Sequence, residues 1–394
     1  MMHEKCKGSW RGILSYGVLP LLYTVGLILL GYLIPRTAFW TLFSLYTILF
    51  GIYLFEWGKG SMMGASSILF YGLIFRLALL GMDPNWSDDV ARFIWDGRIV
   101  AHGEDPFEAK PSKLLGTERG DRMGLERDLY QEMNSPDRYS VYPPVKQYIF
   151  GGTALIAGMN TGVHTVLLRI LLLLADLAVA LALMRLLAYF QLPRSGAALY
   201  FLNPLVILEG VGNLHFEVLL LAFFLWGTYL ALKGRGIILP GLLLGAAVST
   251  KLIPLLFLPF FLKTHRWRAL SLYAIVGLSV LLSFWPWLTE SSLLHFLTSL
   301  KLYFQTFEFN ASIYELVKWG GYQWTGYNII SRAGPALSII TFVGVMTMLV
   351  SARLKEKQDL FSLFVFALSL HLFLATTVHP WYILPLIAFL PLTP

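Results

Sequence analysis

The sequence predicts an all-α polytopic membrane protein of about 12 transmembrane helices, with a helical first large loop outside the membrane. Three observations point to this class. Of 394 residues, 57% are hydrophobic and 13% charged, and the mean hydropathy is +0.65; a soluble globular chain has about a quarter of its residues charged. The apolar residues fall in runs near the ~20 residues that cross a bilayer as a helix, without the alternation that membrane strands show. Aromatic residues make up 15%, with 12 Trp, which suits repeated anchoring at a membrane interface.

In chain order the clear runs are 11–34, 37–55, 62–82, 163–188, 196–211, 217–232, 268–288, 334–352 and 360–378, with a short run from 381 to the end. No cleavable signal peptide is evident, because the first run is long enough to stay as an anchor. The single Cys6 excludes intramolecular disulfides and cysteine-based metal clusters. The formal charge of +7 is explained by a cytoplasmic Lys/Arg excess and calls for no nucleic acid.

Basic residues cluster at Lys5/Lys7/Arg11, Arg185/Arg194, Lys233/Arg235, Lys263/His265/Arg266/Arg268 and Arg353/Lys355/Lys357. If all face the cytoplasm, an even number of crossings separates neighbouring clusters. The run 237–262 then has to be two half-spans meeting at Lys251, next to Ser249-Thr250 and before Pro254. Segment 146–160 becomes a non-crossing interfacial helix, with a full span as the competing reading. This arrangement puts both termini inside. It leaves 83–146, the turn 212–217, Lys251, 289–333 and His379 outside.

Residues 83–146 carry 13 of the 23 acids, together with nine Lys or Arg. The segment is long enough to form a small lid. Ser87-Asp88-Asp89 reads as a helix start, with Ser87 as N-cap and two carboxylates at the favoured end of the dipole, and Gly103 as its stop. Arg92 is spaced to pair with Asp88 or Asp89. An Asp pair at such a place can simply cap a helix. It can also deprotonate a hydroxyl or hold a divalent cation.

Other polar groups reach the same level. His215 and Glu217 share a short outer turn after Asn203-Pro204 and Glu209. Lys251 interrupts an apolar run, where a lysine either snorkels or marks an anionic ligand. Arg76, Arg169 and Arg332 lie toward the outer ends of their helices, and the guanidinium fork suits phosphate; Arg169 could instead pair with Asp176. His379 closes the last outer turn.

The run 87–98, which contains Trp95-Asp96-Gly97, is followed by Gly103-Glu104-Asp105-Pro106-Phe107. Together they resemble the first outer loop of GT-C fold glycosyltransferases, closest to the bacterial polyprenyl-phosphate-mannose-dependent branch. Tyr142-Pro143-Pro144, the segment 203–217 and the stretch from Gly245 to Pro254 are similar to later segments of the same enzymes. Glu217 stands where Asp is usual there, and Leu214 separates Asn213 from His215. The likeness covers 62–265. It implies an N-terminal helical hairpin over 1–61, a GT-C-like catalytic membrane module over 62–265 and C-terminal helices over 266–394.

The resemblance also implies transfer of a hexose, mannose by analogy, from a polyprenyl-phosphate sugar donor to a glycan or glycolipid acceptor. The site would face outward from a bacterial cytoplasmic membrane, and the anomeric carbon would be inverted. Asp88 is then the first choice as base, with Asp89 as the alternative. Arg92, Asp96, His215, Glu217, Lys251, Arg169, Arg332 and His379 are candidates for binding substrate. A divalent cation, Mg or Mn, would fall to Asp88, Asp89 and Glu217. A lipid-linked glycan ligase or polymerase would use the same outer arginines. A flippase or secondary transporter would instead place its sites near the midplane, and Asp176 is the acid deep enough for that.

Overall fold

The computed structural model describes residues 14–57 and 63–394. Lys5, Cys6, Lys7, Arg11 and the boundary at 61/62 lie outside the described residues. Among the described residues every regular element is helical, and the one extended pairing is a bridge between Phe309 and Thr377.

The labelled helices are α1 (Leu19–Leu33), α2 (Phe39–Glu56), α3 (Ala65–Leu77), α4 (Asp89–Ala101), α5 (Pro144–Ala157), α6 (Thr161–Tyr189) and α7 (Glu217–Leu232). They continue with α8 (Ile238–Thr250), α9 (Arg268–Phe284), α10 (Glu290–Gln305), α11 (Ile313–Thr325), α12 (Ile330–Ser351) and α13 (Asp359–Leu374). An apolar segment, Pro380–Leu392, follows. α6 packs against α5 and α7, α7 against α8, and α8 against α9, so a buried apolar spine runs through the centre.

Four described helices are long and apolar enough to cross a membrane alone: α2, α6, α9 with its extension to Trp287, and α12. A fifth crossing comes from Arg194–Phe201 and Val206–Gly212, if that pair, bent by 67°, counts as one. The run 196–211 is thus a broken element rather than the straight span expected. Pro204 has no N–H and its ring clashes with the preceding turn, so the helix stops there. Asn203 Oδ1 instead accepts the N–H of Leu205 at 2.9 Å.

The break frees carbonyls, and neighbouring helices satisfy them. Tyr53 donates to Leu199 at 2.7 Å, Arg76 to Phe201 at 2.8 Å and Tyr23 to Leu202 at 2.8 Å. These three bonds fasten α1, α2 and α3 to the broken segment. Arg76 also meets Asp176 of α6 at 2.6 Å, with both side chains fully buried. Asp176 is therefore paired with Arg76 and not, as the spacing suggested, with Arg169.

The loop 83–146 has a small core of its own. α4 turns Ile94, Trp95 and Ile99 toward Leu114, Met123, Leu125, Leu129 and Met133. Its other face stacks Phe93 on Phe150 of α5, with centroids 4.7 Å apart. Gly97 permits this close approach. A Cβ there would lie 2.5 Å from the Phe150 carbonyl oxygen, a backbone atom that cannot step aside.

Candidate active site

α4 starts one residue later than the sequence suggested. Asp88 occupies the N-cap position without a side-chain capping bond, and Ser87 Oγ accepts the N–H of Asp89 at 3.3 Å. This small shift separates the two carboxylates. Asp88 turns outward to Arg36, which grips both its oxygens at 3.0 and 3.1 Å, and the two side chains are about half exposed. Asp89 turns inward and accepts from Asn134 Nδ2 at 3.4 Å. Burial raises the Asp89 carboxyl above the usual range, while Lys146, Asn134 and Lys251 pull it back down.

Three segments bring charge to Asp89. α5 supplies Lys146, a buried ammonium 4.9 Å from the Tyr142 ring centre and 5.3 Å from that of Phe216. Among the described residues its Nζ has no hydrogen bond or ion pair. Burial and the charge of Lys251 bring its pKa down to about 8. Glu217 opens α7. Lys251 follows the last residue of α8 in extended backbone, at φ −161° and ψ 144°, which ends the helix and sends the side chain to Glu217. The Lys251 ammonium also lies 3.9 Å from the ring centre of Tyr382.

The two histidines line the same space. His215 touches Trp381, with ring centres 3.5 Å apart, and His379 stacks flat on Trp381 at 4.4 Å. Burial, reinforced by the Lys251 charge, lowers both imidazoles, His379 to about 4, so both are neutral near pH 7. The turn before α7 is held by Asn213 Oδ1, which accepts the N–H of Trp86 at 3.1 Å. Between them Leu214 is buried at φ +62°, a conformation costly for a non-glycine residue.

Of the residues singled out in the sequence, Asp89, His215, Glu217, Lys251 and His379 come together. The others do not. Arg92 pairs with Asp96 at 2.8 Å instead of with Asp88 or Asp89, and donates to the carbonyls of Ser135 and Arg138. Asp96, fully buried, also accepts from Ser140 at 2.5 Å and Gln147 at 3.1 Å. Arg92 and Asp96 thus form an internal clamp on the loop. Arg169 donates to the carbonyls of Leu80, Val211 and Gly212, holding the broken segment rather than a phosphate. Arg332 is exposed on α12, and among the described residues no hydrogen bond or ion pair joins it to the cluster.

Lys146 is the residue the sequence reading passed over. Its signal is position: a cation in the first turn of a helix is disfavoured by the dipole, so a lysine there asks for a reason. The carboxylates considered for a divalent cation do not converge. Asp88 faces Arg36 and Glu217 faces Lys251, and among the described residues no three His, Cys, Asp or Glu side chains gather as a metal site. The donor set is dominated by ammonium groups and does not fit a resident cation.

Residues 4–267 match the alpha-(1->6)-mannopyranosyltransferase N-terminal domain family. The chain belongs to this family. The match encloses Asp89, Lys146, Glu217 and Lys251, while His379 lies beyond it. Alpha-(1->6)-mannopyranosyltransferase B of Corynebacterium glutamicum is 30% identical over 162 residues, which are 40% of this chain and 26% of that protein. The chain thus matches about a quarter of the length of that curated relative. No solved structure matches.

Proposed function

We propose that the chain is a GT-C-type mannosyltransferase. It takes mannose from a polyprenyl-phosphate donor and moves it, with inversion, to a hydroxyl of a glycan or glycolipid acceptor. The reaction takes place on the extracytoplasmic face of a bacterial cytoplasmic membrane. Each bent or short apolar segment then crosses in concert with its neighbours, giving the 12 crossings inferred from charge. One observation carries the reading. A half-buried carboxylate, Asp89, is faced by two ammonium groups, Lys146 and Lys251, that arrive from separate helices.

In this scheme Asp89 accepts the acceptor hydroxyl proton as that oxygen attacks the anomeric carbon. The carbon–oxygen bond to the lipid phosphate breaks, and its electron pair leaves on the phosphate. Lys146 and Lys251 stabilise that charge from fixed positions. Glu217 pairs with Lys251. When phosphate takes over Lys251, the carboxylate is released to accept a hydrogen bond from a sugar hydroxyl. Neutral His215 and His379 can both donate to and accept from hydroxyls. Asp88 is the weaker base candidate, because Arg36 occupies both of its oxygens.

Transport is the less favoured reading. Asp176, the acid it would need, is locked to Arg76 and shut off from solvent. Membranes containing the protein and radiolabelled polyprenyl-phosphate mannose provide the test. Label moving to an acceptor with release of polyprenyl phosphate supports the transferase. Label accumulating inside vesicles as intact donor, with no transfer, would replace it with a transporter.

A further inference from the structure

At the end of α7 remote from Glu217, a cavity of about 290 Å³ is lined by Arg185, Trp226, Tyr229, Leu230, Lys233 and Arg235. α7 has 16 residues, about 24 Å of helix at ~1.5 Å per residue, so the cavity lies on the opposite rim from the candidate active site. Arg185 comes from the last turns of α6. Lys233 and Arg235 come from the α7–α8 turn. Gly234 and Gly236 there adopt φ +69° and +72°, left-handed values that fold the turn tightly back over the helix end.

Cations after a helix often serve only to cap its carbonyls. Here other groups already do so. Lys357 and Tyr189 both donate to the Leu232 carbonyl at 3.0 Å, and His265 Nε2 lies 2.9 Å from the Ala231 carbonyl. Among the described residues Arg185, Lys233 and Arg235 make no ion pair, and no acid lines the cavity. Three positive charges therefore face one hollow without a counter-charge. The Trp226 indole is pinned as a wall by its bond to the Ala178 carbonyl at 2.9 Å. On α6 the exposed side chains of Ile170, Leu174 and Leu181 form an apolar stripe that Arg185 continues one turn further.

We infer that this cavity binds the phosphate headgroup of an anionic membrane phospholipid. Arg185, Lys233 and Arg235 surround the phosphodiester, Trp226 and Tyr229 flank the glycerol, and an acyl chain runs along Leu181, Leu174 and Ile170. A charged headgroup beside an apolar stripe is a lipid's chemistry, whereas free phosphate would use the cations alone. The assignment does not depend on the catalytic reading, since the two sites lie on opposite rims.

Trp226 makes the site observable. The full chain is reconstituted in phosphatidylcholine vesicles with increasing brominated phosphatidylglycerol or brominated phosphatidylcholine. The fluorescence difference between wild type and Trp226→Phe isolates this indole. Half-quenching is expected at a roughly tenfold lower mole fraction of the anionic lipid. Arg185→Gln/Lys233→Gln/Arg235→Gln should abolish the preference, and Lys233→Arg/Arg235→Lys should keep it. Equal quenching by both lipids in wild type, or an undiminished preference in the triple variant, overturns the proposal. Loss of the preference in millimolar inorganic phosphate reassigns the cavity to free phosphate and overturns the lipid occupant.

Discussion

Arg76 with Asp176 and Lys146 with Asp89 pose the same electrostatic problem, a buried cation near a carboxylate, and the chain solves them differently. Arg76 meets Asp176 directly, donates to two carbonyls and lies 3.8 Å from the centre of the Phe201 ring. That guanidinium has several fixed partners, although its Nη2 and the Asp176 Oδ1 make no hydrogen bond among the described residues. Lys146 has aromatic rings around it and Asp89 only at a distance. A charge with several fixed partners is architecture, and one left short of partners is where a ligand can add free energy. Arg92 and Asp96 repeat the first pattern and Lys251 the second, since the one carboxylate holding Lys251 can be displaced.

The largest effect expected from breaking this contrast is on transfer. Asp89→Asn should lower the rate about 10²–10⁴-fold, measured with radiolabelled donor in membranes, while Asp88→Asn stays within a few-fold of wild type. Equal losses would erase the distinction between the inward and outward carboxylates. Next comes the fully buried pair. Asp176→Asn leaves Arg76 buried and unpaired, at a cost of about 3–5 kcal/mol. Thermal unfolding in detergent should show it, and Arg76→Leu/Asp176→Leu should recover most of the loss.

A smaller effect concerns pH. The base works only when deprotonated, so transfer should rise as pH climbs through the raised Asp89 titration. Lys146 helps only while protonated, so transfer should fall as pH passes its value of about 8. Lys146→Arg, whose charge persists at high pH, should carry the alkaline limb upward, and an unmoved limb would release Lys146 from its role. The smallest effect belongs to the exposed clasp. Arg36→Ala should cost less than about 1 kcal/mol and leave the acid limb of the pH profile in place, because that limb is assigned to Asp89.

The parts of the site that announced themselves in sequence are those that violate a local rule. A lysine in an apolar run, an acid pair at a helix start and a polar turn between spans are each expensive unless compensated, so Lys251, Asp89, His215 and Glu217 were visible. Arg92, Asp96 and Arg169 violate similar rules, and their compensation is structural. Nothing local separates a guanidinium waiting for phosphate from one already bound to three carbonyls, as Arg169 is. Lys146 went unnoticed because it sits among eight other basic residues of a hydrophilic loop, where a charge looks affordable until the loop folds over it.

The sequence by itself determined the all-helical membrane class, the break after Thr250 and the gathering of chemistry into the first loop and the turn before α7. Those follow from run length, backbone chemistry and the cost of charge in hydrocarbon, all of which act over a few residues. Only the tertiary structure decided which of two adjacent aspartates faces inward and which arginines are already engaged. It also brought Lys146 up to Asp89. Those outcomes depend on contacts between residues 42 to 100 positions apart, and electrostatic free energy is fixed by the partners a charge meets in space.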